Sequence, residues 1–115
     1  MKKNSLSVII PCLNEEETLG ICLKKIKKAF IKYEIPGEII VVDNGSIDNS
    51  VIIAKKYGVK VVIEDKNKGY GSALKTGIKK AKTDFILMGD ADNSYDFSII
   101  NRFYKKLICG YDFVQ

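Results

Sequence analysis

The hydrophobic pattern of this chain changes period repeatedly, and each change falls at a turn signal. Leu6-Ser7-Val8-Ile9-Ile10 is a short apolar run that predicts a buried strand. Asn14 then stands where a helix cap belongs, with a glutamate at the third helical position, and Leu19, Leu23, Ile26 and Phe30 follow at helical spacing. Ile35-Pro36-Gly37 ends that helix, and Ile39-Ile40-Val41-Val42 is a β-branched strand running into Asp43. Asn44-Gly45-Ser46 turns into a second helix that Gly58 closes. Val59 to Ile63 is a third strand, a glycine-bearing loop from Asp65 to Gly71 leads into a third helix, and Phe85 to Met88 is a fourth strand. A fourth helix over Ile99 to Ile108 precedes Asp112-Phe113-Val114, the start of a fifth strand. Strand and helix alternate throughout, so the expected class is α/β, with a mostly parallel sheet covered by helices on both faces.

That architecture says where to look for chemistry. Ligands of open α/β sheets bind beyond the carboxyl ends of the strands. Four polar segments fall there: Asn14 and Glu15, Asp43 to Ser46, Lys68 to Gly71, and Asp90 with Asp92. The last pair is the most informative. An apolar strand ends in Gly89-Asp90-Ala91-Asp92. If the chain stays extended there, the two carboxylates share a face about 7 Å apart at the backbone and can converge on one ion. A hard cation, Mg²⁺ or Mn²⁺, suits two carboxylates and keeps positions open for phosphate oxygens.

Composition narrows the picture. The chain has 115 residues, 46% hydrophobic and 29% charged, as expected of one soluble globular domain. No apolar stretch reaches the length of a membrane span, and the first strand is too short for the core of a signal peptide. The three cysteines, Cys12, Cys22 and Cys109, have irregular spacing, no CxxC and no histidine to pair with, and read as core thiols in a reducing cytosol. The net charge of +5 raises the question of nucleic acid. Lys24, Lys25, Lys27 and Lys28, however, fall opposite Leu23, Ile26 and Phe30 on one helix, as a solvated face would. No nucleic-acid partner is expected, and a weak preference for anionic lipid headgroups fits those lysines better.

Three phosphate-handling motifs compete for the polar segments. Gly69-Tyr70-Gly71-Ser72-Ala73-Leu74 lacks the third glycine of a dinucleotide fingerprint and follows the wrong strand. Lys75-Thr76 lacks the glycine and loop of a P-loop. Asp90-Ala91-Asp92-Asn93-Ser94 looks like the DxDx[TS] nucleophile of haloacid-dehalogenase-type phosphatases, but that motif belongs on a first strand.

Taken in order, Val8 to Glu15, Ile40 to Asp48, Asn67 to Gly71 and Asp90-Ala91-Asp92 resemble the family 2 glycosyltransferases of the GT-A fold along nearly the whole chain. Asp90 to Asp96 is most similar to the polyprenyl-phosphate sugar transferases within that family. The resemblance implies a Rossmann-like, nucleotide-sugar-binding half of a GT-A domain over residues 1–115, with the acceptor half beyond Gln115. It implies that Pro11 and Asn14 or Glu15 flank the base, that Asp43 accepts its ring N–H, and that Gly45 and Ser46 bind the nucleotide beside it. Gly69 would admit the diphosphate closely while Lys68 offsets its charge, and Asp90 and Asp92 would hold the metal, Asp90 also contacting the nucleotide. Asp48 is open to either role, helix cap or ligand contact. Where some polyprenyl-phosphate transferases carry a metal-ligating Gln, this chain has Ser94.

The expected activity is therefore a metal-dependent, inverting transfer from a UDP- or GDP-sugar to a polyprenyl phosphate, in cell-envelope biogenesis, with Mg²⁺ or Mn²⁺. The catalytic base is not assigned. A non-catalytic nucleotide-sugar-binding module and a DxD phosphatase are the alternatives. The resemblance further implies a cytoplasmic protein at the inner face of the membrane, contacting it through its missing C-terminal part. A parallel sheet cut at this point would leave an unpaired edge or apolar surface, so self-association of the isolated half is expected.

Overall fold

The computed structural model describes residues 4–64, 69–92 and 100–110. Four strands and four helices alternate: β1 Leu6–Cys12, α1 Leu19–Lys32, β2 Gly37–Asp43, α2 Ser50–Lys56, β3 Lys60–Ile63, α3 Gly69–Lys80, β4 Phe85–Met88 and α4 Ile100–Ile108. All pairings are parallel and the strand order is β3-β2-β1-β4. β1 is thus central, and all seven of its residues are buried, which is why it reads as an unbroken apolar run. The fifth strand expected at Asp112 to Val114 lies outside the described residues, as does Ile99.

Helices cover both faces, unequally. On one face Leu6, Val8 and Ile10 of β1, with Ile39 and Val41 of β2, pack against Leu19, Cys22, Leu23 and Ile26 of α1, Ala54 of α2 and Ile100 of α4. On the other, Ile9, Ile40 and Val42 pack against Ala73 of α3. α3 approaches so closely that a Cβ on Gly77 would stand 2.4 Å from Ile9 Cγ2, and a glycine is needed there. Gly37 is equally confined, against the Leu6 carbonyl. Beside α3, Ile86 and Met88 of β4 are 36% and 42% exposed.

Two local expectations are corrected. Asn14 does not cap α1; the helix begins five residues later, after a turn in which the Glu15 carbonyl accepts the N–H groups of Thr18 and Leu19. The reason is competition. Asn14 takes a left-handed φ of 51° and turns its side chain to the backbone of the next loop instead. Similarly, Gly69 and Gly71 belong to the start of α3 rather than to a loop, with Gly69 entering it at φ 83°. Cys12 and Cys22 are buried as expected, but Cys109, at the end of α4, is exposed.

Candidate functional site

The carboxyl ends of β1, β2 and β4 meet the first turn of α3 around a cavity of about 310 Å³. Pro11, Glu15, Asn44, Tyr70, Asp90 and Asp92 are among its walls, with Ala73 and Gly69 on the α3 side. Of the expected site residues, Pro11, Glu15, Gly69, Asp90 and Asp92 therefore line one space. Asn14, Asp43, Gly45 and Ser46 do not line it and build its frame, while Lys68 and Ser94 lie outside the described residues.

The frame is a clamp between the loops after β1 and β2. Asn14 Oδ1 accepts the N–H of Ile47 at 2.8 Å, and the N–H of Asn14 donates to Ser46 Oγ at 2.8 Å. One step along, the N–H of Glu15 donates to Ser50 Oγ at 2.9 Å and that of Glu16 to Asp48 Oδ2 at 3.1 Å. Asp48 Oδ1 accepts both the N–H and the hydroxyl of Ser50. Asp48, one residue ahead of the N-cap Asn49, thereby holds the start of α2 and ties α1's approach to it. Slight burial works against its ionisation, but these hydrogen bonds from Ser50 and Glu16 outweigh it and hold the carboxyl below its ordinary 3.8.

Asp43 ends β2 almost wholly buried. Its Oδ2 accepts the N–H groups of Ser46 at 2.9 Å and Gly45 at 3.2 Å, the latter residue at φ 99°, where glycine is favoured. Its Oδ1 and the Oδ1 of Asn44 are both buried without a hydrogen-bond partner among the described residues. Next to them, burial pushes the Cys12 thiol up to about 11, with a Ser50 hydrogen bond opposing and the Asp43 and Glu15 carboxylates adding to the rise. That thiol stays protonated and is no nucleophile.

Asp90 and Asp92 are not on extended strand. β4 stops at Met88, the N–H of Gly89 donates to the Ile9 carbonyl at 3.1 Å, and Ala91 and Asp92 form a turn. Ala91 between them is buried, and its carbonyl accepts the Thr18 hydroxyl and, at 3.6 Å, the Cys22 thiol. A contact from the start of α1 thus fixes the two carboxylates at the cavity rim. Among the described residues no third Cys, His, Asp or Glu joins them as a metal cluster. Opposite, Glu64 after β3 accepts the hydroxyls of Thr76 at 2.8 Å and Ser72 at 3.2 Å, which sets α3 so that Gly69 and Tyr70 face the rim.

Asn44 and Tyr70 fall within the polar segments expected at the crevice, but the sequence reading gives neither a role of its own. A polar residue following a strand-end aspartate, and a tyrosine just after a loop glycine, were the available signals. A second hollow of about 320 Å³ lies at the amino ends of the strands between Lys27, Phe30, Gly37 and Lys60. Its one carboxylate, Glu38, is already bonded to the Ser7 hydroxyl and the Lys82 N–H, so it offers no comparable chemistry.

A family model for glycosyl transferase family 2 matches residues 7–115. The chain belongs to that family. The low-salt glycan biosynthesis hexosyltransferase Agl6 of Haloferax volcanii is 42% identical over 92% of this chain and 25% of its own length. Human dolichyl-phosphate beta-glucosyltransferase is 34% identical over 89% of this chain and 35% of its own. The chain thus spans a quarter to about a third of these two relatives. Among solved structures, glucosyl-3-phosphoglycerate synthase of Mycobacterium tuberculosis, in complex with Mn²⁺, UDP and glucosyl-3-phosphoglycerate, superposes with a TM-score of 0.66. It is 29% identical and covers 76% of this chain and 33% of that one. This family 2 chain has the GT-A fold that the resemblance implied. The match gives no support to the phosphatase alternative.

Proposed function

We propose that this chain forms the donor-binding part of a metal-dependent, inverting glycosyltransferase that takes a UDP- or GDP-sugar and passes the sugar to a lipid-linked phosphate. The observation that carries the reading is the placement of Asp90 and Asp92 at the rim of a cavity whose wall holds a buried, unpartnered Asn44 Oδ1.

The residues present suit a divalent cation. Two carboxylates with no third protein ligand among the described residues leave positions for water and diphosphate, the usual arrangement for Mg²⁺ or Mn²⁺ with a nucleotide. When bound, such an ion neutralises the charge that collects on the leaving diphosphate. The chain supplies the rest. Asn44 Oδ1, in the cavity wall, and Asp43 Oδ1, buried just behind it, are acceptors whose desolvation is offset only if a donor meets them, and we assign the base N–H to this pair. The first turn of α3 lines the cavity, so its N–H groups would face a diphosphate bound there, and Gly69 carries no side chain to block it. Thr18 holds the Ala91 carbonyl and so orients both aspartates. A phosphate acceptor is already anionic near neutral pH, so it attacks the anomeric carbon without a strong base to deprotonate it. The acceptor named for the human relative supports this choice.

Calorimetry tests the proposal. UDP or GDP should bind measurably with Mn²⁺ and much more weakly in EDTA, and Asp92→Asn should abolish that difference while sparing the residual metal-free binding. Asp43→Ala should instead weaken binding in both conditions, by about 1–3 kcal/mol. Equal affinity with and without metal would remove Asp90 and Asp92 from the account.

A further inference from the structure

The charges of this chain are segregated by element. The four described helices carry thirteen of the nineteen lysines and arginines, five on α1, two on α2 and three each on α3 and α4, and none of the fourteen carboxylates. α1 concentrates the effect. Its buried stripe, Leu19, Cys22, Leu23, Ile26 and Ala29, faces the sheet. At about 100° per residue, Lys24, Lys25, Lys28 and Lys32 fall within an outward arc of about 100°. Lys27 lies to one side, where its ammonium donates to the Tyr57 carbonyl of the segment after α2. α4 lies beside α1 over the same sheet face and adds exposed Arg102, Lys105 and Lys106.

Isoleucines stand among these cations: Ile21 is 48% exposed and Ile31 79% exposed on α1, and Ile108 is 42% exposed on α4. Burying them needs an apolar phase, and lysine stems can lie along it while their ammonium groups stay at an anionic surface. The geometry points to the α1–α4 face as a docking surface for an anionic lipid bilayer. Charge complementarity selects the headgroups and the exposed isoleucines select lipid over nucleic acid. An RNA-binding face would present open rings for stacking, whereas Phe30 and Tyr33 of this face are packed against the core. The inference does not rest on the lipid-phosphate reading of the acceptor, since it concerns a different surface from the cavity.

Vesicle sedimentation decides it. The chain should bind vesicles of phosphatidylcholine mixed with phosphatidylglycerol, and bind phosphatidylcholine alone far less, with the difference lost at high salt. The variant Lys24→Gln/Lys28→Gln/Lys32→Gln should bind the mixed vesicles less by on the order of a hundred-fold, at about five-fold per lysine. Lys75→Gln/Lys79→Gln/Lys80→Gln on α3 makes the same change of net charge on the opposite sheet face and should leave binding near that of the unaltered chain. Matched thermal melts would show that both variants fold. Equal losses in the two variants, no preference for anionic vesicles, or displacement from them by RNA at equal charge concentration would each overturn the assignment. UDP binding with Mn²⁺ should be unchanged in the α1 variant, so failure here and failure at the cavity are told apart.

Discussion

The Thr18 hydroxyl donates to the Ala91 carbonyl at 2.5 Å and, with the weaker Cys22 thiol contact at 3.6 Å, joins the start of α1 to the turn that carries Asp90 and Asp92. Residues 73 positions apart in sequence are thereby held together at the cavity rim. Thr18→Val keeps the shape and removes the donor. It should lower unfolding stability by about 0.5–1.5 kcal/mol and weaken UDP binding in Mn²⁺ more than in EDTA, whereas Thr18→Ser should restore both. Denaturant titration and calorimetry on the same preparations check this.

Asp48 links folding to pH. Its carboxyl is held below the ordinary aspartate value in the folded chain, so the stabilisation it gives is fully present above the unfolded pKa of about 3.9 and is lost as pH falls through the lower folded value. Stability measured by urea titration should therefore drop as the solution is taken below about pH 4. Asp48→Asn should lower the neutral plateau and flatten that drop; an unchanged slope would show that the Ser50 and Glu16 hydrogen bonds do not favour the ionised form.

Gly77→Ala sets two effects against each other. Alanine gains about 1 kcal/mol of helix propensity, but its Cβ would meet a buried, β-branched Ile9 that has no room to turn away. Overpacking of this kind costs about 1–3 kcal/mol, so the variant should be net destabilised. The double variant Gly77→Ala/Ile9→Ala should be less destabilised than the two single losses predict.

Thiol reactivity separates the three cysteines. Exposed Cys109 should react promptly with a disulfide reagent at mildly alkaline pH, while Cys12, with its pKa pushed to about 11, and buried Cys22 should react only after unfolding. A count of released thiolate before and after adding guanidinium gives the answer.

The strands were legible because burial on both faces of β1 and β2 leaves runs such as Val8-Ile9-Ile10 and Ile39-Ile40-Val41-Val42 that have no other reading. Their spatial order was not legible, since nothing local says that β1 pairs with both β2 and β4. Asn14 shows the limit of capping signals. The pattern of Asn followed by Glu is real, but a loop more than thirty residues away offers its N–H groups and wins the side chain. The aspartate pair lies at the carboxyl ends of the strands as expected but not on extended chain, because the turn after Met88 is held by the hydroxyl of Thr18, just before α1. Asp43 and Asn44 are neighbours with different surroundings, and only the folded strand end separates the residue that frames the cavity from the one that lines it.

The central position of β1 also bears on the order in which the molecule assembles. β1 meets β2 across a short crossover, Leu6 beside Gly37, but its other edge waits for β4, with Leu6 beside Phe85. Closing the longer loop costs more chain entropy and its reward is only four paired residues. Native-state amide exchange should then divide the sheet into two cooperative units, with β1 and β2 protected to near the global limit and β4 opening at lower free energy. The metal-facing rim would sit on the less protected unit, so a nucleotide with its cation would slow exchange most where the chain holds itself together least.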